Sequence, residues 1–87
     1  MPLEEFKRWL HKKSFVEKLD WFNNSVKQYM YCDNKSWEHG IGVVNENYYR
    51  REAKGQLERA KWLYSELIEM YNHERQMRIY YQKLAKR

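Results

Sequence analysis

From about Asn45 onward nothing in this chain bars a helix. The only proline is Pro2, so no later residue lacks the backbone donor that helical geometry needs. Across that stretch Leu63, Met70, Met77 and Leu84 recur every seven residues, the spacing of a helix that meets another helix along its length. Beside them Tyr49, Ala53, Leu57, Ala60, Tyr64, Leu67 and Tyr71 step by four and three, one face of a helical period. A helix over 46–86 is therefore expected, about 60 Å long at 1.5 Å per residue. Gly55 is its weak point, costing about 1 kcal/mol relative to alanine. Asn72-His73 could mark a break, but Met70 and Met77 stay in phase across it, so the helix is read as whole.

A rod of that length needs something to lie along it. Pro2 suits a first helical turn, Glu4 and Glu5 place negative charge at the start, and Lys12 and Lys13 place positive charge at the end, as a helix dipole favours. A helix over 2–13 follows, with Leu3, Phe6, Trp9 and Leu10 on one face. Ser14-Phe15-Val16-Glu17 then matches a capping box. It opens a second helix over 15–31, carrying Phe15, Leu19, Phe22, Val26, Tyr29 and Met30. The stripes of the two helices are about 120° out of phase, so the chain breaks near Lys13. Residues 32–45 lose the period. Asp33-Asn34, Gly40 and Gly42 are turn chemistry, and Trp37, Ile41 and Val43 are expected to tuck against the helices.

The fold class read from this pattern is all-α: one domain over 1–87, two short N-terminal helices packed on one long C-terminal helix. Together the short helices supply only about 42 Å of length against the long one. The last turns would then show Met77, Tyr81 and Leu84 to water unless the helix bends back or a second chain covers them. Met70, Met77, Tyr81 and Leu84 are accordingly the candidates for self-association.

Composition bounds the function. Aromatics reach 17% of the 87 residues, far above a disordered chain. The single cysteine, Cys32, forms no internal disulfide, which excludes a stapled secreted scaffold. The acidic start lacks the basic and apolar regions of a signal peptide, and no apolar run approaches the roughly 18 residues of a membrane span. A cytoplasmic location is expected. Ala, Gly and Pro number seven, against twenty-four Lys, Asn and Tyr, a mix written by A/T-rich codons and common in phages and mobile elements.

Signals for chemistry are weak. Cys32, Asp33, His11, His39 and His73 contain no close ligand pair of the kind structural zinc uses, so no metal or cofactor is expected. Cys32 and His39 are neighbours in sequence only, which does not make a nucleophile, and Gly40-Ile-Gly42 lacks the third glycine and preceding strand of a phosphate loop. The chain reads as non-enzymatic.

The aromatics say more. Trp21 stands about 120° off its helix's apolar stripe, and Trp62 and Tyr80 point away from theirs. Trp62, Glu66, His73 and Tyr80 along one side, with Trp21, form a candidate surface for a larger protein, since such residues are enriched at binding hot spots. The competing reading is that the N-terminal helices pack on that side. Charge supplies the alternative function. The net charge is +5, yet residues 14–74 are net acidic, and Arg75, Arg78, Lys83, Lys86 and Arg87 stand at the end without an acid. With Arg50, Arg51 and Lys54 they are the candidate nucleic-acid contacts, Tyr48, Tyr80 and Tyr81 offering rings for stacking on bases. The leading expectation is a small regulator or inhibitor that binds and occludes a larger protein; the alternative is nucleic-acid binding through the basic helix end.

Overall fold

A computed structural model of the chain describes residues 2–86. It is an all-α bundle of three helices: α1 (Leu3–His11), α2 (Phe15–Ser36) and α3 (Val43–Ala85). α1 and α2 both pack on α3, and no strand occurs among the described residues.

α1 starts where Phe6 donates its backbone N–H to the Pro2 carbonyl, 3.0 Å away. It stops two residues short of the expected end, with Lys12 as C-cap and the Lys13 N–H returning to the Leu10 carbonyl. The capping box then opens α2: the Glu17 backbone N–H donates to Ser14 Oγ at 3.2 Å, and the Ser14 hydroxyl donates to Glu17 Oε1 at 3.4 Å.

α2 runs five residues beyond the expected 31. Asp33 and Asn34 are helical, and the hydroxyl of Ser36 donates back to the Asp33 carbonyl at 2.7 Å as the helix closes. The expected loop 32–45 thus shrinks to residues 37–42. Trp37 and Val43 do not tuck in as expected, and Ile41 does so only in part. Trp37 is 73% exposed and Val43 72%, Ile41 half-buried; so short a connection has no slack to fold back, and Trp37 instead stacks under Arg50, 5.2 Å from its ring. Gly42 is the N-cap of α3 at φ +87°, a left-handed conformation that favours glycine. α3 begins at Val43, three residues before the expected start, and is continuous through Gly55 and Asn72-His73.

The two long helices are antiparallel. Lys18 reaches Glu66 and Met70, Phe22 meets Tyr64, and Tyr31 meets Tyr49. That register brings Ser25 level with Ala60 and Cys32 level with Ala53. All four are buried, so the helices approach through small side chains. The expected α2 stripe is rotated as a result: the positions facing α3 are Lys18, Ser25, Cys32 and Ser36, whereas Phe15, Leu19 and Met30 are exposed. α3 answers with a seam that steps by four and three through Tyr49, Ala53, Gln56, Ala60, Leu63, Leu67 and Met70. Leu57, Tyr64 and Tyr71, expected on that stripe, stand to one side of it. α1 crosses the other side of the pair, burying Phe6 and Leu10 against Leu63, with Trp21, Phe22 and Trp62 packed around them.

Candidate functional site

Two surfaces stand out: an uncovered face of the α2–α3 pair and the projecting end of α3. Each follows from where α1 and α2 lie.

α1 covers one side of the pair. The ring of Phe6 meets Trp21 and Trp62 edge-on at 5.8 and 6.1 Å, Trp9 meets Trp21 at 5.3 Å, and the Arg59 guanidinium lies 4.7 Å from the Phe6 ring. Of the residues placed by sequence on a partner surface, Trp21 and Trp62 are therefore half-buried beneath α1. Glu66 is held there too. Its carboxylate accepts from Lys18 Nζ at 3.1 Å and lies 3.3 Å from His11 Nδ1, tying all three helices together. His73 and Tyr80 remain exposed on α3. The structure thus divides the five residues between a packed group and the projecting end, because α1 takes the middle of that side.

Among the described residues the opposite side of the pair has no third helix. Helical geometry places Leu19, Val26 and Met30 of α2 and Leu57, Tyr64, Ile68 and Tyr71 of α3 on it, and Phe22, which also packs on the Phe6–Leu10–Leu63 cluster, meets Tyr64 at 6.4 Å along its inner edge. Leu19, Met30, Tyr64, Ile68 and Tyr71 are between 38 and 58% exposed. Sequence reasoning assigned most of these side chains to the core, because periodicity shows that a face is apolar but not whether anything covers it. The exposed apolar faces of α2 and α3 join in one patch about 20 Å long at 1.5 Å per helical residue, of the kind that marks a docking surface.

α3 leaves the bundle where α2 begins. At this fork a cavity of about 490 Å³ opens between Phe15, Lys18, Met70 and His73, with Glu69 and Glu74 on its rim. Lys18 is its buried cation, 3% exposed, donating to Glu66 and lying 3.4 Å from Met70 Sδ. Beyond the fork the seam continues through Glu74, Met77, Tyr81 and Leu84. Met77 is half-buried and Tyr81 and Leu84 are 61 and 43% exposed.

The basic residues do not gather into one patch. Arg50 pairs with Glu46 one turn away, and Arg51 and Lys54 are exposed nearby. Arg75, Arg78, Lys83 and Lys86 lie on the projecting end, Arg78 paired with Glu74 at 2.7 Å. An unbroken rod holds Arg51 and Arg75 about 36 Å apart. Arg87 lies outside the described residues.

Among the described residues no group of three or more His, Cys, Asp or Glu side chains could hold a metal ion, and no helix is long and apolar enough to cross a membrane. Cys32 lies in α2 against α3 and not in a loop beside His39. Burial pushes its thiol above the ordinary 9.0, and the Glu52 carboxylate adds to the shift, so it is protonated near neutrality and a poor nucleophile. Set against protein-family models, curated proteins and solved structures, the chain matches none of them.

Proposed function

We propose that this protein is a non-enzymatic interaction module that docks on a larger protein through the uncovered α2–α3 face and occludes the surface it occupies. The observation that carries this reading is the group of exposed Leu19, Met30, Tyr64, Ile68 and Tyr71 on the side of the pair opposite α1. Side chains such as Leu19, Met30 and Ile68, about half exposed, forgo roughly 1 kcal/mol each relative to full burial, and a partner that covers the face recovers part of that. Tyrosines suit the role, since they add large contact area with few rotatable bonds.

The test compares capture of proteins from the source cell by the wild-type chain and by Ile68→Asp. Ile68 lies off the α2–α3 seam, so the variant should keep its helical circular dichroism. A partner retained by wild type should be lost from the variant. Equal capture by both would remove this face from the interaction.

The projecting end favours a second reading. Arg75, Arg78, Lys83 and Lys86 stand on a free rod with Tyr80 and Tyr81, whose rings lie 5.7 Å apart. Nucleic-acid binding through that end predicts affinity for oligonucleotides that falls steeply with salt and is abolished by charge reversal at Arg75 and Lys83. An affinity that does not change with salt would exclude it.

A further inference from the structure

We propose that the occupant of the uncovered α2–α3 face is an amphipathic helix of about four turns whose acidic edge lies along α3, a reading that rests on the docking role given to this face above. Shape comes first. Two antiparallel helices side by side leave a groove on either side of their contact, and the apolar stripe of a third helix fills such a groove. The pair already holds α1 in this way on its other side, with Phe6 and Leu10 packed against Leu63.

Charge sets the chemistry of the occupant's edges. On α3 the inner row of the face, Leu57, Tyr64 and Tyr71, steps by seven residues. Four residues on from each stand Lys61, Ile68 and Arg75, with Lys54 one heptad earlier, so helical geometry makes these four the outer border. Lys54, Lys61 and Arg75 are exposed, and among the described residues no carboxylate pairs with any of them. Arg50 and Arg78, at the two ends of the inner row, differ in holding Glu46 and Glu74.

The α2 border is of another kind. Val16, Asn23 and Met30 form it without a charge, and Asp33 follows at the end of the face, about level with Lys54. The rows further out carry one charge of each sign on either helix, Asp20 with Lys27 and Arg51 with Glu58, and add no preference. A helix in the groove therefore meets free positive charge on one side only, strongest at Lys61 and Arg75, where no acid stands across the groove. Those two lie about 21 Å apart along α3, which matches the length of the apolar patch.

One-sided charge separates a helix from other occupants. Anionic lipid headgroups surround a face that enters a membrane and favour cations on both borders. Phosphates follow one another about every 3.4 Å along a duplex strand, whereas these cations step by about 10.5 Å or a multiple of it. A helix lying along α3 matches that step, because its own side chains recur on one line every seven residues. The free helix end of a second copy is a poor occupant, since Lys83 and Lys86 would bring cations to cations.

Selection from a displayed library of helical peptides about sixteen residues long tests the proposal on the full chain. The a and d positions vary among Leu, Ile, Met and Phe, and both flanking edges among Glu, Gln and Lys. Wild type should enrich Glu over Lys about tenfold at one edge and neither charge at the other, an effect within reach of two half-covered ion pairs. Lys61→Glu/Arg75→Glu should reverse the preference, and Ile68→Asp should retain none of the selected peptides. Equal recovery of Glu and Lys, a Glu preference unchanged in the double variant, or no selected peptide at all would overturn the acidic occupant. Tighter binding of single-stranded oligonucleotides or phosphatidylserine vesicles, lost in Lys61→Glu/Arg75→Glu, would put another polyanion in its place. Dimerisation of wild type that Ile68→Asp removes would put a second copy there. Partner capture that needs Ile68, with no charge preference in the selection, would remove the acidic occupant and leave the docking face standing.

Discussion

Replacing Lys18 by methionine tests the account of the fork most directly. Its side chain is 3% exposed, and its ammonium donates to the carboxylate of Glu66, whose side chain is 13% exposed. Breaking a buried ion pair from one side costs about 3–5 kcal/mol, mostly for the charge left behind. Glu66 keeps some solvent and its contact with His11 at 3.3 Å. Lys18→Met should therefore fall at or just below the low end, at about 2–3 kcal/mol. In a domain of this size that lowers the thermal midpoint by roughly 10–20 °C. Glu66→Met should cost more, because the deeper Lys18 would keep only the Met70 sulfur. The double variant removes both charges and fills the space with thioethers, so it should lie within about 1 kcal/mol of wild type. Urea denaturation followed by tryptophan fluorescence reads all three, since Trp21 and Trp62 pack on Phe6. Should Glu66→Met fail to fold, recovery of folding in the double variant becomes the readout. Losses that simply add would show that the two groups do not depend on each other, and the description of a buried pair would be wrong.

Two further outcomes follow from single positions. Gly55 lies in an exposed part of α3 with nothing within 4 Å of an added Cβ; Gly55→Ala should raise stability by about 1 kcal/mol, read from the denaturation midpoint, and a loss would mean that the helix is not regular there. The raised Cys32 thiol contributes stability that is present below its ordinary 9.0 and is lost as pH rises through the higher folded-state value. Wild type should therefore lose more stability than Cys32→Ala between pH 7.5 and about 10, with tyrosine and lysine ionisation common to both; equal losses would place the thiol in water.

Much of the architecture is legible without coordinates. The heptad residues, the lack of proline after Pro2 and the capping box at Ser14 are local statements about backbone geometry, and α3 and the start of α2 follow from them. The end of α2 is not local in that sense. Asp33 and Asn34 read as turn formers because their side chains compete for backbone hydrogen bonds, yet they sit in a helix whose next turn is held by packing of Cys32 and Ser36 on α3. The interface itself escaped for a related reason. A search for large apolar residues picks Phe15, Leu19 and Met30, whereas two helices that approach closely need small ones, and Ser25 and Cys32 facing Ala60 and Ala53 do not look like a core in sequence.

The candidate surfaces divide along the same line. The sequence alone determined that the chain is helical, that its last thirteen residues are basic, and that the α3 seam outruns any helix available to cover it. These depend only on residue order and the rise of a helix. Which side of the pair α1 covers was decided by tertiary structure, where Phe6 and Leu10 wedge against Leu63 between Trp21 and Trp62. That choice packed Trp21 and Trp62 beneath α1 and left Leu19, Tyr64, Ile68 and Tyr71 facing water. Periodicity assigns side chains to faces; only the placement of a third helix decides which face is core and which is left for a partner.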